Sequence, residues 1–385
     1  MLQLRRGRIA LAAVTLALLA ACSPASSSDT GADASGSPAA GAPGAGATKV
    51  GVIAVGPKDD FGYNQAVYQG VEALRAADPD LEVLDAYRIP EDDTAATTME
   101  SMVAQGATIL FATSYGHLDA AKEVAAAHPE VAVVHQGGLV DDAPPANLGT
   151  YFGSVYEPVY LAGIAAGAAT RTGKLGYVYA IPIPQTLANI NAFTLGAQTV
   201  RPDVEVIAVS TTSWCDPATQ ADRVASLLSK DVDVVTQHQD CTKTIIEATE
   251  AAGKYTVGYH ADASSLAPKG WLTGSEWNWG PLYSEIVATA RDGGFTGSQF
   301  NGNYRANMAS GENPFVASQF GPSVTDETKA LIAAASAKLA EGGSPFTGPV
   351  VAQDGTVKVA AGETPSVETI EQMDYFVEGV TGTIS

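Results

Sequence analysis

Short apolar runs rich in β-branched residues alternate with helix-periodic stretches along almost the whole chain, and that order leaves few folds open. Strands are predicted at 49–55, 81–84, 108–112 and 131–134. Between them, helical spacing runs over 64–77, with Val67, Val71 and Leu74 on one face, then over 94–105 and 118–127. Continuous apolar strands separated by helices predict a parallel sheet covered on both faces. The pattern then restarts near residues 153–158. An Ala/Gly-rich helix at 158–170 leads into strands at 175–179, 204–209, 232–236, 255–259 and 271–275, with helices at 187–199, 217–228 and 242–252. Two blocks of similar size, without evident repetition, predict an α/β protein of two doubly wound parallel-sheet lobes. After Trp279 the order changes: a helix at 282–291, strand-like segments near 303–310 and 315–320, and a long helix at 326–339. The expected division is lobe 1 over 48–154 with a return of about 281–305, and lobe 2 over 155–280 with a return of about 306–385. Such a hinge, crossed several times, suits a clamshell.

The first residues read as an export signal, residues 1–21. Arg5, Arg6 and Arg8 precede an apolar run from Ile9 to Leu19, too short to span a bilayer comfortably. Leu19-Ala20-Ala21-Cys22 follows at once and is similar to a bacterial lipobox, in which the Cys22 thiol takes a diacylglyceryl group. Residues 22–47 then comprise this lipidated cysteine and a Ser/Gly/Ala/Pro stretch with nothing to bury, expected to be a disordered leash. No later run is apolar for ~18 residues or more, so no membrane span is expected after the signal.

Removing the three signal arginines takes the net charge from −21 to −24. An acidic chain argues against nucleic acid and against adhesion to anionic lipid. The 338 residues from Thr48 to Ser385 exceed one ordinary core and agree with two lobes. Beyond Cys22 only Cys215 and Cys241 remain, and an oxidising compartment invites them to pair.

In open α/β sheets the ligand lies outside the carboxyl ends of the strands. Here those positions are aromatic and polar: Asp60, Phe61, Tyr63 and Asn64 after the first strand, Ser114, Tyr115 and His117 after the third, His135 and Gln136 after the fourth. In the second block Gln185, Trp214, His238, Asp240, Tyr259, His260, Asp262, Trp277 and Trp279 take equivalent places. Aromatic faces with carboxylates and amides suit a planar ring that hydrogen-bonds at its edge. The competing readings are ordinary: Trp271 as core, and Asp216 before Pro217 as a helix N-cap. Four histidines at strand ends, with the cysteines and Asp262, offer an alternative metal set. Their spacing matches no dense zinc pattern, so no metal and no cofactor are expected. Walker A, GxSxG, HExxH and dinucleotide GxGxxG sequences are all missing, and nothing positive points to an enzyme.

Several segments carry a resemblance. Asp60-Phe61-Gly62-Tyr63-Asn64, Tyr160-Leu161-Ala162-Gly163, Thr172 through Val178, Ile190 through Ala197, Gly348-Pro349-Val350 and Met373 through Val380 resemble the basic membrane protein family. These are lipoproteins that bind substrate for ABC importers and have the type I periplasmic-binding fold. The resemblance implies a purine nucleoside or free purine base as ligand. Tyr63-Asn64 matches the family's aromatic–Asn pair, and Asp262 stands where an Asp holds ribose. His135-Gln136 replaces the usual base-reading Asp. Residues 190–197, Trp214, Asp240 and Tyr259-His260 are more similar to a branch that takes free bases such as adenine.

The expected mechanism is hinge closure of a monomer on its ligand, followed by recognition by a separate permease and ATPase. The expected location is outside the cytoplasm, lipid-anchored to the cell membrane. The rivals are a sensing or adhesive surface lipoprotein that transports nothing, and a metal-binding lipoprotein.

Overall fold

The computed structural model describes residues 41–140 and 143–384. The signal, Cys22 and the linker as far as residue 40 lie outside the described residues.

The first block folds as β1 (Lys49–Ile53), α1 (Tyr63–Ala77), β2 (Glu82–Ala86), α2 (Asp93–Ala104), β3 (Ile109–Ala112), α3 (Leu118–Ala127), β4 (Ala132–Gln136) and β5 (Leu148–Gly153). The second folds as α4 (Tyr156–Ala169), β6 (Lys174–Tyr179), α5 (Pro184–Gln198), β7 (Glu205–Ser210), α6 (Pro217–Leu228), β8 (Val234–His238), α7 (Lys243–Ala251), β9 (Tyr255–Val257) and β10 (Trp271–Thr273). The chain then runs through β11 (Ser275–Trp277), α8 (Trp279–Arg291), β12 (Asn303–Ala306), β13 (Phe315–Ala317) and α9 (Asp326–Ala340). It ends with the hairpin β14 (Val350–Val351) and β15 (Val357–Val359), then α10 (Val367–Ile370) and β16 (Val380–Thr381).

Two six-stranded sheets result, ordered β12-β5-β4-β3-β1-β2 and β10-β9-β8-β6-β7-β16. Every pairing in both is parallel. β3 and β4 are buried at every position, which is why they read as unbroken apolar runs. α1 packs one stripe on its sheet and on α8: Val67, Val71 and Leu74 are buried, each worth roughly 1.5–3 kcal/mol. α4 and α5 approach through glycine, since a Cβ on Gly163 would lie 2.2 Å from the Phe193 carbonyl oxygen. β12 returns to the first sheet and β16 to the second, so the backbone crosses between sheets at 154–155, near 278 and along 307–314.

Two features of lobe 1 depart from the sequence reading. The leash was expected to extend to Ala47, but residues 41–47 are pinned to lobe 1. The Gly44 N–H donates to the Glu130 carbonyl at 2.9 Å, the Gly46 N–H to the Arg291 carbonyl at 2.8 Å, and Ala47 is buried. Small residues allow this docking as readily as they allow disorder. β5 is also absent from the predicted strands. Its two glycines hide it; a Cβ on Gly149 would lie 1.8 Å from the Phe300 carbonyl oxygen. Pairing with β4 and β12 makes it a strand.

Candidate functional site

In each sheet the strand order reverses beside the first strand of its block, β1 against β3 and β6 against β8. Crevices at such switch points face one another across the two lobes. The cleft between them is lined by Tyr63, Ser114, Tyr115, Gln136, Gly137 and Phe152 from the first lobe, and by Gln185, Trp214, His238, Asp240 and His260 from the second.

The lobes touch at its rim. The Tyr63 N–H donates to the Asp240 carbonyl at 3.1 Å, and Thr242 Oγ1 donates to the Phe61 carbonyl at 2.6 Å. Gly62 permits this, because a Cβ there would lie 1.7 Å from the Asp240 carbonyl oxygen. Glu91 bridges the lobes: Oε1 accepts from Ser114 Oγ at 2.6 Å, and Oε2 from Trp214 Nε1 at 3.3 Å. The Arg305–Glu371 ion pair joins β12 to the segment after α10.

Asp240 is enclosed, with no cation beside it among the described residues. Burial, reinforced by the Asp60 and Glu91 carboxylates, pushes its carboxyl well above the usual range. Its backbone is held on both sides: its N–H donates to the Trp214 carbonyl at 2.9 Å, and Cys241 is bonded to Cys215 with Cα atoms 5.2 Å apart. One cross-link therefore pins the two loops that carry Trp214 and Asp240. Burial favours neutral imidazoles at His238, taken down to about 3, and at His260, held well below its usual value.

Of the strand-end candidates, Tyr63, Ser114, Tyr115, Gln136, Gln185, Trp214, His238, Asp240 and His260 line the cleft together. The others do not, each for a local reason. Asp60 is spent on the start of α1, accepting from the backbone N–H groups of Gly62, Asn64 and Gln65. Asn64 accepts from the Gly56 N–H and donates to Asp60. Phe61 packs under Lys243. His135 lies behind the wall, its Nε2 2.7 Å from the Ser114 carbonyl. Trp277 and Trp279 are stacked at 4.1 Å and buried behind the wall. Asp262 is exposed, bonded to the Ser264 N–H and to Gln319. Phe152 and Glu91 were missed. Phe152 belongs to the unpredicted β5, and Glu91 lies in the loop after β2, away from the switch point. His238 and His260, placed at strand ends by the sequence, do reach the cleft. Asp216 caps α6 as its Asp-Pro pair predicts, and among the described residues no cluster of His, Cys, Asp or Glu could hold a metal ion.

A family model described as ABC transporter substrate-binding protein PnrA-like matches residues 47–301. A purine-binding protein of Brucella abortus is 31% identical over 85% of this chain and 91% of its own length. A putative ABC transporter glucose-binding protein of Haloferax volcanii is 29% identical over 72% of this chain and 66% of its own. Among solved structures, an ABC transporter solute-binding protein from Conexibacter woesei has a TM-score of 0.62, covers 77% of this chain and 97% of that one, and at 21% identity speaks to the fold alone. The two parallel-sheet lobes are those of the type I periplasmic-binding proteins. Among the described residues no helix is long and apolar enough to cross a membrane. The chain belongs to the PnrA-like family of ABC-transporter substrate-binding proteins, which capture solute outside the cytoplasm and are not enzymes.

Proposed function

We propose that the cleft captures a purine as the free base, and that its closure on the ligand is the form presented to an ABC permease driven by a separate ATPase. The observation that carries the reading is Asp240: an enclosed carboxyl without a cation, set among Trp214, Tyr63, Phe152, His238 and His260. Aromatic walls suit a flat heterocycle, and a carboxyl suits its N–H edge. The similarity to a purine-binding protein supports the same class. The outward turn of Asp262 removes the group expected to hold ribose, which favours base over nucleoside. In this reading the protein is a monomer held to the membrane through lipid on Cys22.

Thermal-shift and calorimetric titration against purine bases, nucleosides and hexoses tests it. A purine base should raise the melting temperature by mass action, and the matching nucleoside should do so less. Stabilisation by glucose with none by any purine would overturn the ligand class. Intact mass of the membrane-extracted protein should show diacylglyceryl at Cys22; an unmodified N-terminus would remove the anchor.

A further inference from the structure

We infer that the cleft reads its ligand with two groups that can only donate, the Tyr63 hydroxyl and His260 Nε2, and that Gln136 and Trp277 impose this polarity as positioning residues. The inference rests on the purine reading and deepens it.

Trp277 is buried, and its indole N–H can donate but never accept. It lies 2.9 Å from His260 Nδ1. That nitrogen must therefore present its lone pair, and the neutral ring carries its proton on Nε2. Burial keeps the ring neutral. Nε2 has no hydrogen-bond partner among the described residues and is not sealed in the interior, and His260 lines the cleft. Its backbone sits at φ 74°, in the left-handed region, a cost accepted where a side chain has to be aimed.

Gln136 acts in the same way on Tyr63. Its Oε1 accepts from the Tyr151 hydroxyl at 2.8 Å and from the Tyr283 hydroxyl at 2.7 Å. Both phenols are fully buried, and each has one proton to place. Reversing the amide would strand at least one of those protons without an acceptor, at a cost of about 1–3 kcal/mol. The amide nitrogen therefore faces Tyr63 and donates to its hydroxyl at 2.6 Å. With that lone pair engaged and no acceptor for its own proton among the described residues, the Tyr63 hydroxyl donates into the cleft. Asp240 supplies the opposite polarity.

The ligand edge then has to offer two unprotonated acceptors, ring nitrogen or exocyclic oxygen, with an N–H for Asp240. An uncharged heteroaromatic base of the purine type satisfies this; an analogue with C–H at either acceptor position does not.

The test is calorimetric titration of the tightest-binding purine base and its deaza analogues, each with one ring nitrogen replaced by C–H. The proteins are wild type, Tyr63→Phe, Gln136→Glu and Trp277→Phe. Wild type should lose about 10-fold or more in affinity for the analogue lacking each acceptor, the worth of one neutral hydrogen bond. Gln136→Glu offers oxygen where nitrogen stood and takes back the Tyr63 proton. It should weaken the parent base and erase the penalty at one ring position only. Trp277→Phe frees the His260 tautomer and should erase the penalty at the other position. A packing defect would weaken all ligands alike and leave the ratios intact, and that result overturns the inference. Should Gln136→Glu fail to fold, Tyr63→Phe must remove the same penalty or the inference falls. If wild type binds no purine, both inference and ligand class fall. If it binds purines with ratios the variants leave unchanged, only the inference does.

Discussion

Glu157 and Asp240 are both buried carboxyls, yet they answer to different partners. Glu157 stands in the first turn of α4, where its Oε2 accepts from the Met308 N–H at 2.8 Å and from Asn313 Nδ2 at 3.2 Å. It thereby ties α4 to the crossing segment 307–314. Burial outweighs these bonds and pushes its pKa from 4.5 up to about 7. The sign follows: as pH rises from 4.5 the unfolded chain releases the proton first, so this group's stabilising share is lost progressively until about pH 7. Glu157→Gln cannot ionise. Its melting temperature should fall less than that of wild type between about pH 5 and pH 7, and near neutrality it should be the more stable by about 1–3 kcal/mol. Parallel pH profiles would refute this. Asp240 has only Asn64 to offset its burial inside the protein, and in the proposed reading its partner is the ligand. Asp240→Asn should weaken purine binding by about 10–100-fold, the range for one buried hydrogen bond left unmade, while raising the melting temperature of the ligand-free protein. Unchanged affinity in titration would remove this carboxyl from the contact.

At the scale of elements, the loops after β7 and β8 carry much of the second lobe's face of the cleft. Cys215–Cys241 closes a loop with a sequence separation of 26, worth roughly 3 kcal/mol in the chain-entropy model. α6 adds to the same join: Gln220 Nε2 donates to Gln239 Oε1 at 2.9 Å and to the Cys241 carbonyl at 2.8 Å. The double variant Cys215→Ser/Cys241→Ser should lose about that much stability in urea melts. It should also lose ligand affinity, because Trp214 and Asp240 are no longer held in one register; intact affinity would confine the bridge to stability. The cap of α6 was legible because an Asp-Pro pair is a local signal. The strand β5 was not, because its two glycines read as a loop until neighbouring strands pair with it.

Across the whole molecule, the lobes meet where Gly62 lies against the Asp240 backbone. If the proposed hinge closure holds, that contact forms only as the cleft shuts. Gly62→Ala should therefore leave the ligand-free melting temperature within about 2 °C of wild type while weakening binding by about 100-fold. Small-angle scattering should show the variant failing to compact when ligand is added; normal compaction would mean the rim tolerates the methyl group. Other ties between the lobes, Thr242 to the Phe61 carbonyl, Trp214 to Glu91 and Arg305 to Glu371, are made by side chains that can part without strain.

What the sequence determined by itself is what depends on short-range period and chemistry. The alternation of strand and helix dictates two parallel-sheet lobes, because a strand buried on both faces must be apolar throughout. Their topology then makes the strand ends the expected place for a ligand. Which strand-end side chains turn inward was decided only by the tertiary structure. Asp60 faces the start of a helix, Asn64 the loop after β1, and Asp262 its own loop, because unpaired backbone N–H groups lay closer than any ligand. Trp277 and Trp279 sink behind the wall because indole surface is better buried than exposed. Glu91 and Phe152 arrive from segments with no such signal, since a long-range contact leaves no period in the chain.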